Sequence, residues 1–427
     1  MKNTFLFIAF CLMGLSALAQ QKVNTYYDSL REIPKEEYFI LQQDSSLIDG
    51  VYVRFYPQGE VQMKGQFVQG SKEGVFTEYY PSGVVQRLIQ YQNNRKEGEL
   101  KVFDEAGQLV QTGFFRNDTL SGALVTYYEP GKIRSESLFQ GGKPDGLVKE
   151  YYPDGAIKEE IPYANGKQNG VYKSYYEGGK IKLQAEYVDG MLQGDFTTYF
   201  LNGQVETEAQ FSKGKKNGKF RNYSEKGQLL MEGSLSEGVL DGAVKIYYPE
   251  GNLKSDFSYA KGFKEGKNTS FYPNGKPKEI SKYSNSEKDY FTETYDSLGR
   301  LMTEKNYLNG VAHGTWKTYH NNGQLKLVEN FTNGRLNGPR TEYSSEGVLV
   351  LKSEFQNDLK VAAEKAFYPN GKPLYECSYS FNKKHGLFKA FYENGALKEE
   401  GSYAGNKKVG IWKEFDAEGK LINEIKY

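Results

Sequence analysis

The chain has 427 residues, of which 38% are hydrophobic and 15% aromatic, with 35 Tyr and 26 Phe but only 2 Trp. Its 55 basic residues nearly balance its 54 acidic ones, which argues against nucleic acid as a partner. The abundant aromatic residues exclude an intrinsically disordered chain. Together with the low hydrophobic fraction, they predict a thin structure that buries one face.

Residues 1–19 are predicted to be a cleaved export signal. Lys2 supplies the positive start, and residues 5–15 form an apolar run too short for a transmembrane helix. Residues 17–19 (ALA) match a small-x-small cleavage site. Cys11 could instead mark a lipid anchor, but the bulky Phe10 before it favours simple cleavage.

Cleavage after Ala19 would place the chain in the periplasm, on the cell surface or outside the cell. It would remove Lys2 and so leave 54 basic and 54 acidic residues. Cys377 would be the one remaining cysteine, which excludes an intramolecular disulfide despite an oxidising compartment.

Residues 20–49 fit the pattern of the rest of the chain poorly. Residues 27–30 nevertheless repeat the YDSL of residues 295–298. We therefore predict that this segment is a degenerate capping hairpin.

Residues 50–427 repeat with a period of 24. Sixteen glycines follow one another at this spacing, from Gly59 to Gly419, without an insertion or a deletion. The heptapeptide FYPNGKP occurs at residues 271–277 and again four periods later. A fixed period of this length is the signature of a repeat architecture.

Each unit is predicted to be a β-hairpin. A first glycine, nine residues before the second, opens every unit except those beginning at Tyr290 and Ala362. Tyr or Phe always follows five residues later, and the next residues favour a turn that the second glycine closes with a left-handed backbone. The turn glycines singled out are Gly59, Gly83, Gly155, Gly203, Gly251, Gly275, Gly323, Gly371, Gly395 and Gly419.

The second strand carries an aliphatic residue and, six residues later, an aromatic one. Strict alternation would place both on one face, with Lys and Glu pairs such as Lys158 and Glu160 on the other. Some first-strand rings have the wrong parity for the aromatic face, and either a bulge or a partly covered second face would explain them. They are Phe76, Phe196, Phe220, Trp316 and Trp412.

The link between hairpins also predicts positive φ. Four residues before each first glycine stand nine Gly, three Asn and two Asp in fifteen units, and the exception is Ser286, just before Tyr290. The predicted fold class is therefore all-β, an elongated single antiparallel sheet of stacked hairpins with about sixteen repeats. We expect its aromatic face to be covered by a partner or by a second copy.

No residues indicate catalysis, a metal or a cofactor. His313, His320 and His385 occupy turn positions that other repeats give to polar residues, without a metal-ligand spacing. Cys377 stands where other repeats place Gly or Ala, as a small packed side chain does. The glycines belong to the repeat rather than to a phosphate loop.

Most rings are predicted to be core, whereas the tyrosines at the turns and the two tryptophans are candidates for contact with a partner. These candidates are Tyr80, Tyr128, Tyr152, Tyr176, Tyr248, Tyr272, Trp316, Tyr368, Tyr392 and Trp412.

Residues 314–338 (GTWKTYHNNGQLKLVENFTNGRLNG) and 385–410 resemble the MORN-repeat variant of bacterial antitoxin-like proteins. The shared features are G-x-[WF]-K-x-[YF], the Asn/Glu-Gly turn and the L-K-x-E strand. The resemblance implies stacked hairpins used for protein or membrane-surface contacts, without enzymatic chemistry. Residues 295–301 (YDSLGRL) also resemble a YD shell repeat, in one unit only.

The sequence therefore favours a non-catalytic, exported scaffold that binds a protein, the envelope surface or another copy of itself. One alternative is an antitoxin-like partner of a toxin, which an exported chain would meet inside the cell only in transit. The other is a glycan-binding or wall-acting protein. The neutral charge gives no support for a membrane surface, and nothing specific supports a glycan.

Overall fold

The computed structural model describes residues 20–427. The predicted export signal lies outside the described residues, and export stays a prediction. Within residues 20–427 the regular structure consists of 41 β-strands. No helix in that range is long and apolar enough to cross a membrane.

The chain divides into two compact units, Met1–Gly194 and Asp195–Tyr427, with the division inside β18. Consecutive hairpins in each unit stack side by side in an open antiparallel sheet. The strands up to β18 are β1 (Gln20–Tyr26), β2 (Pro34–Leu41), β3 (Asp44–Phe55), β4 (Val61–Val68), β5 (Ser71–Tyr79), β6 (Val85–Gln92), β7 (Arg95–Phe103), β8 (Leu109–Arg116), β9 (Thr119–Leu120), β10 (Gly122–Glu129), β11 (Lys132–Gln140), β12 (Lys143–Pro144), β13 (Gly146–Tyr151), β14 (Ile157–Ala164), β15 (Lys167–Gln168), β16 (Gly170–Tyr175), β17 (Ile181–Val188) and β18 (Met191–Tyr199).

The remaining strands of the second unit continue the same pattern. They are β19 (Val205–Ser212), β20 (Lys215–Tyr223), β21 (Leu229–Ser236), β22 (Val239–Leu240), β23 (Gly242–Tyr247), β24 (Leu253–Ala260), β25 (Phe263–Lys264), β26 (Gly266–Phe271), β27 (Pro277–Ser284), β28 (Asp289–Tyr295), β29 (Leu301–Leu308), β30 (Val311–Ala312), β31 (Gly314–Tyr319), β32 (Leu325–Thr332), β33 (Arg335–Leu336), β34 (Gly338–Tyr343), β35 (Leu349–Gln356), β36 (Leu359–Phe367), β37 (Pro373–Ser380), β38 (Lys383–Phe391), β39 (Leu397–Ala404), β40 (Lys407–Phe415) and β41 (Leu421–Lys426).

Strands β5 and β6 show the common hairpin. Their turn closes with a bond from the Gly83 N–H to the Tyr80 carbonyl (2.9 Å) and another from the Tyr80 N–H to the Val84 carbonyl (2.8 Å). The left-handed backbone predicted for the turn glycine is present, since Gly83 has φ +83°. The predicted all-β fold of stacked antiparallel hairpins is confirmed.

A β-bulge that recurs along the array, one of the two explanations offered for the first-strand rings, corrects the predicted assignment of faces. In β5 and β6, Phe76 pairs with Ile89, but the register shifts before Tyr79, which pairs with Val85. The shift reverses the alternation along the second strand. The aliphatic residue therefore pairs with Tyr79, on the opposite face from Phe76, and the prediction that it shares a face with the later aromatic residue is wrong.

The first-strand rings thought to have the wrong parity thus lie with the second-strand rings, on what we call the ring face. Phe76 contacts Phe67 and Tyr91, with ring centroids 5.7 and 5.0 Å apart. Gly65 makes room, because a Cβ there would lie 2.4 Å from the Phe76 ring. Phe76 is 1% exposed, and so rings expected to need a partner's cover are packed within the sheet.

The opposite face also carries rings, contrary to the prediction of a purely charged surface. Tyr151 pairs with Ile157 and donates its hydroxyl to Glu136 Oε2 (2.8 Å). Tyr175 makes the same bond with Glu160 (2.7 Å). Each tyrosine thereby ties a hairpin to the one before it.

The links are two-residue turns in which both residues are left-handed. Gln69 has φ +49° and Gly70 has φ +80°, the pair of positive angles that a type I′ hairpin turn requires. The glycine content predicted the second of these residues, while the first was missed. Gly74, the first glycine of the next unit, lies in a second bulge with φ +76°.

The two units that lack the first glycine depart from this geometry in different ways. Before Tyr290 the register of β27 and β28 is unbroken. The link there is longer, with positive φ at Asn285, Ser286 and Glu287. Ala362 instead keeps the bulge, with φ +61°.

Along the ring face of the second unit, the buried side chains change from apolar to polar. Ala209, Phe220 and Val244 form an apolar cluster. Farther along, Ser281 donates to Thr292 (3.0 Å) in the same row. Glu364, 4% exposed, accepts hydrogen bonds from Ser353 (2.8 Å), Tyr375 (2.9 Å) and Lys360.

Candidate functional site

The ten turn glycines all have the predicted positive φ, which ranges from +80° at Gly371 to +101° at Gly59. A Cβ at Gly203 would meet nothing within 4 Å. The conformation of the backbone, rather than lack of space, therefore requires glycine at this turn.

The turn tyrosines form a hydrogen-bonded ladder along the hairpin ends. Tyr152 donates its hydroxyl to the Tyr175 carbonyl of the next hairpin (2.7 Å). Tyr27 makes an equivalent bond to the Phe55 carbonyl (2.9 Å), although it precedes the regular repeats. The same bond to the carbonyl 23 residues later is made by Tyr80, Tyr128, Tyr248, Tyr272, Tyr368 and Tyr392.

These hydroxyls therefore form hydrogen bonds that connect neighbouring hairpins. Contact with a partner stays a prediction for the tyrosine rings, including the ring of Tyr176. His320 takes a ladder position, since its Nε2–H donates to the Tyr343 carbonyl (2.9 Å). Its predicted place in a turn agrees with this bond. Among residues 20–427, no group of three His, Cys, Asp or Glu could hold a metal ion.

The two tryptophans belong to the ring face. Trp412 is 2% exposed and donates its indole N–H to the Ser402 carbonyl (3.2 Å). Trp316 is half-buried and donates to the Asn306 carbonyl (2.8 Å). Trp412 is therefore a core residue, and its predicted role as a contact for a partner is wrong.

An exposed line of apolar side chains lies on the face opposite the ring face, in the first unit. Leu138 is 51% exposed and Leu147 is 45% exposed. We call the line of six the apolar row. It consists of five exposed residues, Phe114, Ala123, Leu138, Leu147 and Val171, and the half-buried Pro162.

The register of the strands pairs four of these side chains within two neighbouring hairpins. Ala123 pairs with Leu138 within one hairpin, and Leu147 pairs with Pro162 within the next. Between hairpins the register shifts at the first glycine, so that Leu138 lies opposite Asp145, whose N–H donates to the Leu138 carbonyl (2.8 Å). The row therefore consists of two cross-strand pairs in neighbouring hairpins, with Phe114 before them and Val171 after them.

Charged side chains border the apolar row. On one side, Lys149 and Lys173 follow two residues after row members, and no ion pair involves either lysine within residues 20–427. The carboxylates opposite them are engaged, since Glu136 and Glu160 accept the tyrosine hydroxyls described above. Burial and that hydrogen bond raise the pKa of Tyr151 to about 12.

The other side of the row carries three basic residues together with Asp145, whose carboxylate accepts the Asn165 N–H (3.1 Å). Arg116, Lys143 and Lys167 lie at its margin beside the links, and Lys167 forms an exposed ion pair with Asp189 (3.7 Å). Acidic residues close the two ends, because Glu99 pairs with Phe114 and Glu186 pairs with Val171.

Sequence reasoning missed the apolar row, although a signal for it exists. The row occupies one pair of positions in each hairpin, the residue after the first glycine and its cross-strand partner. Every other hairpin of the array has at least one polar residue in this pair, as in Val75 with Gln90. Two adjacent hairpins without a polar residue mark the row.

Comparison with known proteins identifies the repeat. The model of the MORN repeat variant family matches eleven segments, which together cover more than half of the chain. The chain belongs to the MORN repeat variant family. The matched segments are residues 72–93, 96–117, 144–165, 168–189, 192–213, 240–261, 264–285, 312–333, 360–380, 384–404 and 408–427.

The apolar row thus lies on MORN repeats. Of its two central hairpins, the one that pairs Leu147 with Pro162 lies within the matched segment 144–165. No curated protein matches the chain.

Solved toxin structures match nearly the whole chain, but with little geometric agreement. The crystal structures of TcdB2-TccC3-Cdc42 and of TcdB2-TccC3 are each 12% identical to it, with a TM-score of 0.13, covering 95% of this chain and 31% of theirs. The structure of the Photorhabdus luminescens Tc holotoxin pore is 12% identical to the chain, with a TM-score of 0.14. The match covers 94% of this chain and 29% of that protein. The chain spans about a third of the length of these proteins. Because the TM-scores are so low, these likenesses carry no weight for fold or function.

Proposed function

We propose that this chain is a non-catalytic, exported scaffold that holds a protein partner on its apolar row. The observation that carries the proposal is the row itself. Two neighbouring hairpins carry apolar side chains at a pair of positions where every other hairpin has a polar residue, and five of the six row members are exposed. Exposed apolar side chains concentrated in this way are typical of interaction sites.

The rest of the chain supports a scaffold rather than an enzyme. The glycines, the tyrosine ladder and the ring-face contacts recur from hairpin to hairpin and serve the stacking of the repeats. The row departs from that repetition without any gain in packing, since Leu138 and Leu147 remain half exposed. A role in binding explains why such residues stand there.

The test is capture of proteins from envelope extracts of the native cell. We expect the purified protein to retain one or more partners that the double variant Leu138→Asp/Leu147→Asp loses. Leu387 is the matched control, because it occupies the same position in its own hairpin, pairs with Ser402 and is 65% exposed. The variant Leu387→Asp should retain the same partners. Equal capture by all three proteins, or capture by none, would contradict the proposal.

A further inference from the structure

A line of alternating charges crosses the strands beside the apolar row. Glu136 pairs with Lys149, and Lys149 pairs with Glu160. Glu160 pairs in turn with Lys173. We call these four residues the charge line. The register shifts at the first glycines lie farther toward the links, so the four side chains stand on adjacent strands about 4.8 Å apart. Two glutamates and two lysines leave the line without net charge, which favours neither a polyanion nor a strongly basic partner.

Neither lysine of the charge line, Lys149 or Lys173, forms an ion pair within residues 20–427. The two glutamates of the line each accept a tyrosine hydroxyl at Oε2 (2.8 and 2.7 Å). An alternating line in the second unit behaves differently, since Lys365 forms an ion pair with Glu376 (2.6 Å). The first unit therefore presents two ammonium groups to carboxylates outside the described part of the chain.

A second line of apolar side chains runs along the other side of the charge line, toward the turns. In the central hairpin, Tyr151 pairs with Ile157. Ile133 occupies the same position on the strand before this hairpin and Tyr175 on the strand after it, and all four residues are half-buried. We call them the turn-side line. The face thus presents the apolar row, the charge line and the turn-side line in parallel.

The charge line matches a second copy of itself after a half-turn. The axis lies parallel to the strands, between the two copies and midway between Lys149 and Glu160. The half-turn sets Lys149 opposite Glu160 of the second copy, and it sets Glu136 opposite Lys173 of the second copy. Because each contact occurs twice across a two-fold interface, these two contacts give four ion pairs.

The same half-turn sets apolar side chains against apolar side chains. Leu147 comes to lie opposite Pro162 of the second copy, and Tyr151 opposite Ile157 of the second copy. The outer members of the row match less closely, because the register shifts displace the row from one hairpin to the next. Facing sheets also pack about 10 Å apart and about 30° from parallel. The contact is therefore centred on the hairpin of β13 and β14.

We infer that this chain forms a two-fold, face-to-face dimer through the apolar row, the charge line and the turn-side line. The inference rests on the proposed function and identifies the protein held on the apolar row as a second copy of the chain. The six strands β10, β11, β13, β14, β16 and β17 span about 29 Å, and the three lines together span about 20 Å along the strands. Each copy thus contributes roughly 600 Å², which is at the lower end for a specific interface and predicts a weak dimer.

Sedimentation velocity over a hundredfold range of protein concentration measures the dissociation constant of the dimer. We expect Leu138→Asp/Leu147→Asp to raise this constant at least tenfold, because charged groups replace apolar contacts. Lys149→Glu/Lys173→Glu should also raise it at least tenfold, because each new glutamate faces a glutamate of the second copy.

Two variants in the second unit serve as matched controls. Leu387 occupies the row position and Lys389 the charge-line position of their own hairpin, but Ser402 interrupts the apolar pair there. Leu387→Asp and Lys389→Glu should each leave the dissociation constant unchanged. Equal weakening by these controls, or no weakening by the variants in the first unit, would overturn the inference.

Exchanging the charges distinguishes a direct contact from a general loss of stability. Glu136→Lys/Glu160→Lys makes the charge line entirely basic, whereas Lys149→Glu/Lys173→Glu makes it entirely acidic. An equimolar mixture of the two variants should associate at least tenfold more tightly than either variant alone. Resistance to protease shows whether each variant is folded, and if the basic variant does not fold, the leucine and lysine variants decide the question. A mixture of folded variants that associates no more tightly than its components would contradict the dimer.

The capture experiment separates this inference from the proposed function. Tagged protein incubated with envelope extract should retain the untagged native copy of the chain. If it retains a different protein through Leu138 and Leu147 and sediments as a monomer at every concentration, the proposed function stands and the second copy is wrong. If it is monomeric and retains nothing, both are wrong.

Discussion

Ala362 has a left-handed backbone at a position that fourteen repeats give to glycine. Its φ of +61° brings the Cβ close to the backbone, at a cost of about 1–2 kcal/mol that glycine avoids. We expect Ala362→Gly to stabilise the protein by about 1 kcal/mol, after the greater freedom of glycine in the unfolded chain is subtracted. The denaturant midpoint for unfolding of the second unit, which contains Ala362, measures the change in stability.

The neighbouring Ala363 provides the control. It is also exposed, but its backbone is not left-handed, and it pairs with Ser378 as a regular strand residue. Ala363→Gly should therefore destabilise the protein by about 0.5–1 kcal/mol. Loss of stability in both variants would show that the Ala362 backbone is not strained.

The tyrosines that donate to glutamates predict a loss of stability in alkali. Burial, followed by the bond to Glu160, raises the pKa of Tyr175 to about 12, and Tyr319 has the same shift through Glu304. An unfolded tyrosine has a pKa near 10, so the folded chain holds more protons between pH 10 and 12. The stabilisation is complete below pH 10 and is lost as the pH rises through 12.

Unfolding midpoints at pH 9, 10, 11 and 12 test this pH dependence. The double variant Tyr175→Phe/Tyr319→Phe should start less stable at pH 9, because it lacks two hydrogen bonds, and should lose less stability on the way to pH 12. Equal losses of stability between pH 9 and pH 12 in the variant and the parent protein would show that these two tyrosines do not cause the pH dependence.

At the scale of the hairpin, the period predicted the strands, the turns and the left-handed glycines, because each depends on local backbone conformation. A bulge was one of the two explanations offered for the first-strand rings, but the positions of the two bulges were not predicted. The register shift before Tyr79 depends on which carbonyl of β6 pairs with β5, and nothing in the alternation of residues 85–91 indicates it. One unpredicted shift was enough to put Val85 on the wrong face.

The candidate site was hidden for a related reason. The rings dominate the composition, so Tyr152 and Trp412 drew attention as contacts, whereas the structure uses them in the ladder and the core. Leu138 and Leu147 look ordinary in sequence, because an apolar residue in a strand is normally buried. Only the register shows that both point away from the ring face, each in a cross-strand pair without a polar residue.

The turn of a single hairpin can be tested at Gly203, whose φ is +92°. Gly203→Val forces a β-branched residue into that conformation and should destabilise its hairpin by about 1–3 kcal/mol. Asn202 donates to the Glu225 carbonyl of the next turn (2.6 Å), so the damage should reach that neighbour. Hydrogen exchange followed by mass spectrometry should show faster exchange in β18 to β21 and unchanged exchange near β39.

Gly203→Asn is the milder control, because asparagine tolerates positive φ better than valine does. Its exchange should rise less, over the same strands. Faster exchange along the entire second unit in the valine variant would mean that coupling extends well beyond neighbouring repeats, contrary to the expectation for stacked units.

Over the whole molecule, two sets of residues have separate tasks. The ring face, the turn glycines and the tyrosine ladder recur with the period of 24 and hold neighbouring hairpins together. Within residues 20–427 the apolar row occurs once, in the first unit, and contributes little to packing. Stability should therefore depend on residues spread over every repeat, while binding depends on a few residues in one place.

A mutational scan with two measurements distinguishes these tasks. For each variant, resistance to protease reports folding, and retention of the row-dependent partner from envelope extract reports binding. Loss of folding should recur every 24 residues, at positions equivalent to Phe76, Gly83 and Tyr91. Loss of binding with folding intact should concentrate at Leu138 and Leu147, more weakly at the lysines beside them. An enzyme would give a different pattern, because catalysis needs a few polar residues in fixed geometry. A cluster of intolerant polar residues within one repeat, in variants that fold and still bind, would contradict the scaffold and direct attention to that cluster.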